Sequence, residues 1–433
     1  MRILKLTAAV ENNLLRARHE RDRGAERIAA KIIADVRKRG DAALFSYAKK
    51  FDGVDLRRAG IFVAPEEIAG AKKQVSSSFR RAIGHAAANI RQVAEKQLPR
   101  QWTIGIERDH GICVSQIVRP VDSVGCYIPG GRFALFSTLL MTVLPAQVAG
   151  VKRITVVCPK PNLELLAVAN FLGITEIARI GGAQAIAALA YGTKNIPRVD
   201  KIVGPGNRFV TAAKQLVSSD CAIDLPAGPT EAIVLATSGK PKFIAADLLA
   251  QAEHAPDAAS FLVTTSPQLA RAVQNEIEKQ LAKLPSDNLA HFSTRISGAI
   301  LIASSLAAAC DFINRFAPEH LSLPFSQDLA LKNITSSGTV FLGFLGAQPL
   351  GDYVTGGNHV LPTGGWAHTR GGLSTADFVK CMTVQTFMRH GFESLAPDAI
   401  TLARAEGLLA HANAVKIRMR RKTAAKTNDE VRS

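Results

Sequence analysis

The sequence contains no CxxC pair. Its six cysteines, Cys113, Cys126, Cys158, Cys221, Cys310 and Cys381, are scattered. This excludes a finger- or ribbon-type thiolate zinc site and leaves any metal to His, carboxylate or amide ligands. Most of these cysteines sit in apolar segments, the pattern of reduced core thiols in a cytoplasmic protein. Long hydrophobic runs are also missing. The longest, residues 134–146, is broken by Ser, Thr and Pro145 and is too short to cross a bilayer, so no membrane partner is expected. The opening MRILKLTAAVENN lacks the apolar stretch and small-residue cleavage site of a signal peptide. Aromatic residues are sparse at 6% and form no run among the basic residues, which argues against a base-stacking surface. No HExxH helix is present, which removes a common zinc-hydrolase signature, and no GxGxxG follows a strand-like segment, which removes the usual dinucleotide fingerprint. No internal repeat or low-complexity tract is visible.

What is present describes a globular chain. At 433 residues it is long for one core, so two or three domains are expected. Hydrophobic residues at 47% and charged residues at 21% are the balance of a soluble domain. The formal net charge is +17. The basic residues concentrate at the two ends, at Arg16, Arg18, Arg21 and Arg23, then at Arg418, Arg420, Arg421 and Lys422. A solvated basic surface accounts for this, and it would also attract anionic cofactors; nucleic-acid binding is the alternative, though no specific nucleic acid is expected.

Periodicity divides the chain. Residues 1–100 read as mostly helical, with a helix over 23–39 stopped by Gly40, Asp41 as a cap for the next, and a long amphipathic stretch over 76–97. Strands are expected at 112–118 and 123–128, followed by a turn at 129–131. Strands and helices then alternate. Strands are expected at 153–158, 176–180, 201–203, 232–236, 260–265, 300–303 and 339–342. Helices are expected at 163–172, 183–191, 208–217, 243–253 and 267–284. This rhythm predicts an α/β protein with parallel sheets in two Rossmann-like halves, with breaks near Tyr127 and Pro226. After Thr375 a helical segment is expected, and the tail 422–433 reads as disordered.

The residues that could carry chemistry fall in four places. Residues 351–362, GDYVTGGNHVLP, fit neither period and put Asp352 and His359 on one loop; a plain surface loop is the alternative. Gln251 and His254 stand three apart at the end of a predicted helix, on one face; a His favouring the helix dipole is the alternative. Glu319 and His320 are adjacent, each tunable near neutral pH, or else part of an exposed turn. Glu406 and His411 read as lying on the last helix, about 140° apart, able to flank a ligand or simply solvated. Three Gly-bearing turns follow predicted strands, at Tyr127, Gln184 and Asn207, where ligands bind in doubly wound folds.

Five blocks, IDLPAGPTE, AADLLAQAEHAPD, FAPEHLSL, GDYVTGGNHVLPTGG and EGLLAHANAVKIR, occur in this order and together resemble the histidinol dehydrogenase family. The resemblance runs from about Arg23 to Arg418. It implies oxidation of L-histidinol through histidinal to L-histidine, with NAD and one zinc ion per subunit. The implied zinc ligands are Gln251, His254, Asp352 and His411, which also contact substrate. The implied catalytic pair is Glu319 and His320. Further substrate contacts fall on Thr230, His359 and Glu406, with His320, and NAD contacts on Tyr127, Gln184 and Asn207. The implied fold is aldehyde-dehydrogenase-like, with helical N- and C-terminal extensions. Residues 1–22 would be a helical arm, 23–126 with 230–374 the zinc and catalytic domain, 127–229 the NAD domain, and 375–433 a helical dimerisation arm with a basic tail. A cytoplasmic homodimer with shared active sites is implied. Thr230 stands where the family often has Ser, Gly357 where Thr is common, and residues 348–350 depart from a frequent Pro-Glu pattern. A dehydrogenase for another small amino alcohol or polyol is the nearest alternative; a zinc hydrolase and a nucleic-acid-binding protein are the others.

Overall fold

Two parallel sheets organise the larger part of the chain in a computed structural model that describes residues 1–19, 22–106, 111–130, 135–226, 228–324 and 331–419. The turn residue Gly131, the basic residues Arg21, Arg420, Arg421 and Lys422, Ala134, Ala227 and the tail 422–433 lie outside the described residues. The chain divides into two units, Met1–Leu98 with Pro120–Phe378, and Pro99–Arg119 with Val379–Ser433. Among the described residues no helix is long and apolar enough to cross a membrane.

In the first unit the five-stranded sheet runs, edge to edge, Ile177–Ala178, Arg153–Val157, Ser123–Tyr127, Lys201–Val203, Ala222–Ile223. The six-stranded sheet runs Arg2–Lys5, Gly298–Ile302, Ala259–Thr264, Glu231–Leu235, His320–Leu323, Thr339–Leu342. Every pairing in both is parallel. Apart from the edge strand Arg2–Lys5, which comes first in the chain, each sheet starts at a central strand, builds outward on one side, then returns to the other. The order therefore reverses between Ser123–Tyr127 and Lys201–Val203 in one sheet, and between Glu231–Leu235 and His320–Leu323 in the other. Such a reversal opens a crevice beside the central strands.

Burial explains why these strands were legible as apolar runs. Ser123–Tyr127 and Glu231–Leu235 are buried along their whole length, as parallel strands covered on both faces must be. On the six-stranded sheet, Ile233 and Leu235 pack with Phe261, Phe312 and Phe316 on one face. Val234 points to the other face with Leu248, Leu262 and Val273, the period-two alternation of a strand. The five-stranded sheet shares a core with Ile32, Ile33 and Val36 of helix Arg23–Arg39 and with helix Gly182–Tyr191.

Several expectations change. Residues 1–22 contain the strand Arg2–Lys5 before the helix Ala8–His19, because Arg2 to Lys5 register against Ala299 to Ile302 at the sheet edge. Asp41 is the first residue of its helix, with Gly40 at φ 55° as the cap position. The second unit begins its later segment with a nine-residue strand, Val379–Phe387, where helix was expected. It forms a three-stranded sheet with Ile112–Pro120 and Trp102–Ile106, the last two antiparallel with Trp102 opposite Gln116. Gly111 and Gly391 pack backbone to backbone there, and a Cβ on either would strike the other.

Candidate active site

Local chain geometry delivers Glu319 and His320 to the amino ends of the central strands of the six-stranded sheet. Helix Leu306–Phe316 is closed by Ala317, which takes a left-handed φ of 46° and donates its N–H to the Ile313 carbonyl at 2.7 Å. It is the one non-glycine residue with positive φ among the described residues, and such strain gathers at functional sites. Pro318 follows, and His320 opens the next strand instead of lying in an exposed turn. Glu319 and His320 are buried, at 7% and 4% exposure.

Thr230 and Glu231 sit at the start of the neighbouring strand and hold the Glu319 carboxylate. The Thr230 hydroxyl donates to Glu319 Oε2 at 2.6 Å and the Glu231 N–H at 2.9 Å. Burial raises the Glu319 pKa, against His320 and these donors. Burial alone would lower His320, but the Glu319 and Asp352 carboxylates outweigh it and its pKa rises. Glu319 Oε2 is 3.8 Å from His320 Nδ1, and Asp352 Oδ1 is 3.6 Å from Nε2. Both distances are charge contacts too long for hydrogen bonds, and both ring nitrogens are buried without a hydrogen-bond partner.

Asp352 lies on the short helix Gln348–Tyr353 and not on a loop, because Pro349 starts a helix readily. Its carbonyl accepts from His359 Nδ1 at 2.8 Å, so Nε2 keeps a lone pair that accepts from the Thr138 hydroxyl at 3.2 Å. Burial lowers the His359 pKa and keeps the ring neutral. Gln251 is fully buried in the last turn of helix Pro241–Ala252, and His254 lies beyond the helix end. His254 Nδ1 donates to the Ala250 carbonyl at 2.9 Å, closing the helix terminus and turning Nε2 outward. Glu406 and His411 belong to the second unit, where both are exposed. They do not share a helix: Glu406 ends Arg389–Ala405, and Gly407 at φ 76° turns the chain before Leu409–Lys416.

The carboxyl ends of the five-stranded sheet bring a different set of groups. Tyr127 is buried, and its hydroxyl accepts from the Gly182 N–H at 3.1 Å. Its pKa is pushed up to about 12 by burial. Gly204 has φ 114°, and a Cβ there would strike the Tyr127 carbonyl. Asn207 caps helix Arg208–Val217 by accepting from Phe209 N at 3.0 Å and Val210 N at 3.2 Å. The Gln184 amide is buried with neither its oxygen nor its nitrogen bonded. A cavity of about 890 Å³ opens between the two sheets, lined by Gly204 and Asn207 from one and by Thr230, His254, Glu319 and His359 from the other.

The sequence model of the histidinol dehydrogenase family matches residues 15–419. The chain belongs to the histidinol dehydrogenase family. It is 44% identical over 395 residues to the histidinol dehydrogenase of Aquifex aeolicus, covering 91% of this chain and 92% of that protein. It is 41% identical over 394 residues to that of Lactococcus lactis, covering 89% and 91%. The crystal structure of histidinol dehydrogenase from Elizabethkingia anophelis is 37% identical, covers 96% of this chain and 98% of that one, and superposes with a TM-score of 0.89. In this member of the family, sequence reasoning missed several residues that shape the site. Thr138 holds His359. Arg18 pairs with Glu231 through two contacts of 2.5 and 2.6 Å and stacks on Phe316. Burial still pushes the Glu231 carboxyl up to about 7 against that guanidinium. Lys214 and Asp224 form a buried ion pair that brackets Gly204, Lys214 donating to its carbonyl and Asp224 accepting from its N–H. No local motif marks any of them.

Proposed function

We propose that this chain is an oxidoreductase that converts L-histidinol through bound L-histidinal to L-histidine, passing two hydrides to NAD in the last steps of histidine biosynthesis. Family membership supports the substrate and the pathway. The observation that carries the chemistry is the buried Glu319–His320 pair at the cavity, with Thr230 and Glu231 fixing the carboxylate.

Zinc and NAD fit the residues present. Among the described residues no three His, Cys, Asp or Glu side chains gather at metal-binding distance. The first unit nevertheless offers His254 with Nε2 turned outward, the Asp352 carboxylate and the Gln251 amide oxygen. Nitrogen and oxygen donors of this kind suit zinc, with His411 as the fourth. The unbonded Gln184 amide and the turn at Gly204, with no room for a Cβ, suit a cofactor held by Tyr127, Gln184 and Asn207. When bound, zinc supplies a Lewis acid that anchors the substrate nitrogens, and NAD supplies the hydride acceptor. His320 takes the hydroxyl proton as hydride leaves the alcohol carbon. Glu319 then takes a proton from water, whose oxygen adds to the aldehyde carbon, and the hydrate gives up the second hydride. Thr230, His359 and Glu406 orient the substrate. In this reading residues 127–229 form the NAD side, 23–126 with 230–374 the zinc and catalytic side, and 375–433 the dimerisation arm.

Purified protein is expected to make two NADH for each L-histidinol consumed, and fewer from other amino alcohols. One NADH per substrate with free aldehyde accumulating would overturn the reading. We also infer a cytoplasmic homodimer in which His411 of one copy completes the zinc site of the other. The exposed Met382, Phe387, Leu402, Leu409 and Ile417 of the second unit support such an apolar contact. Co-expressing inactive His254→Ala and His411→Ala chains then yields mixed dimers with one intact site, and about a quarter of wild-type activity returns. No recovery in mixed dimers confirmed by differential tags would rule sharing out.

A further inference from the structure

A continuous hydrogen-bonded chain ends on the Glu319 carboxylate. Gln348 Nε2 donates to Gln251 Oε1 at 2.8 Å, Gln251 Nε2 donates to Thr230 Oγ1 at 2.8 Å, and Thr230 Oγ1 donates to Glu319 Oε2 at 2.6 Å. Gln348 and Gln251 are 1% and 0% exposed, so solvent offers neither amide a substitute partner. The last acceptor sets the direction. An ionised carboxylate only accepts, so the single hydroxyl hydrogen of Thr230 is committed to Glu319. Thr230 must then accept from the next group, which turns the NH2 of Gln251 toward it. The Gln251 carbonyl oxygen consequently faces Gln348, which meets it with an N–H. Gln348 opens the same short helix that carries Asp352 four residues later. One element thus places a carboxylate beside His320 and aims an amide from another helix.

We propose that Gln348 is a positioning residue that holds the Gln251 carbonyl oxygen where Thr230 turns it and, through Gln251 and Thr230, steadies the Glu319 carboxylate. The proposal rests on reading Gln251 as a zinc ligand and Glu319 as the water-activating group. A carbonyl oxygen has two lone pairs; Gln348 occupies one and leaves the other for the metal. Without Gln348 the amide still presents its NH2 to Thr230, but its carbonyl oxygen loses its donor and the ligand atom is no longer held in place.

The test compares wild type with Gln348→Leu, and with Gln348→Met should the branched side chain prevent folding; circular dichroism and thermal melting check the fold. Zinc affinity, measured by chelator competition without substrate, is expected to weaken about 10–100-fold, the usual result of removing a group that orients a metal ligand. With zinc saturating, oxidation of added histidinal falls more than the first hydride transfer from histidinol. Combining Gln348→Leu with Thr230→Val costs less than the sum of the single losses, since both cut one chain. Unchanged zinc affinity in a folded Gln348 variant, or strictly additive losses with Thr230→Val, overturns the proposal while leaving the dehydrogenase reading intact. A wild-type protein that neither binds zinc nor reduces NAD with histidinol removes both.

Discussion

Asp224 beside the five-stranded sheet and Glu319 beside the six-stranded sheet are buried carboxylates put to opposite uses. On the five-stranded side, Asp224 is paired with Lys214 inside the fold, and both grip the backbone of Gly204. The charge there maintains the shape of a turn. On the six-stranded side, Glu231 is likewise paired with Arg18, but Glu319 and Asp247 have no such lysine or arginine among the described residues, and burial raises both carboxyls, Asp247 to about 6. Those two groups remain free to gain or lose a proton. The same fold can therefore build a neutral cradle at the carboxyl ends of one sheet and an acid–base site at the amino ends of the other, according to whether a buried carboxylate is given a permanent cation.

The sharpest way to break this comparison is Glu319→Gln, which keeps the shape and removes the titratable group. Oxidation of added histidinal is expected to fall by on the order of 10²–10⁴-fold, with a smaller loss in the first hydride transfer. Single-turnover kinetics with each substrate would show it. Equal losses in both half-reactions would mean that Glu319 and His320 act as one unit. On the other side, Lys214→Met leaves Asp224 buried without its cation. A loss of about 3–5 kcal/mol in unfolding free energy is expected by denaturant titration, together with weaker NAD binding. A stable variant with normal NAD affinity would show that the pair does not hold the turn.

The smallest effect concerns Asp247. Its folded pKa lies above the unfolded value, so its contribution to stability is fully present below about pH 4 and is lost as pH rises through about 6. Asp247→Asn removes that loss. The variant should be more stable than wild type at pH 7 by about 1 kcal/mol, after allowing for partial solvation, and no more stable at pH 4. Parallel stability curves across that range would place the carboxylate in a better-solvated setting than its burial indicates.

Legibility in the sequence followed the range of the interactions. Lys201–Val203, Thr339–Leu342, Leu163–Leu172 and Arg208–Val217 have the bounds that local periodicity predicts, because each is bracketed by its own caps and turns. Val379–Phe387 escaped because almost every residue in it is exposed and no apolar alternation marks it; pairing with a distant segment decides its state. Thr230, His254, Glu319 and His359, each expected from a motif block, line one cavity. Arg18, Thr138 and Gln348 were not expected at the site, since each acts on a residue far along the chain, as Arg18 does on Glu231 across 213 positions. Gly407 escaped because a left-handed turn inside an apolar helical pattern leaves the periodicity on either side intact.

The edge strand Arg2–Lys5 is synthesised long before the strand it pairs with. At roughly 5–20 residues per second, the segment that carries Ala299 to Ile302 follows it by about 15–60 s, and only then can the parallel pairing with Arg2 to Lys5 form. In that interval the strands of the five-stranded sheet, from Ser123 to Ile223, have all been made. The nascent chain thus carries an unpaired strand whose apolar Ile3 and Leu4 are flanked by Arg2 and Lys5, and the two charges discourage it from pairing with a neighbouring nascent chain. A bulky fusion at the amino terminus would act on this late closure, and would show as a lower yield of folded protein rather than as altered catalysis.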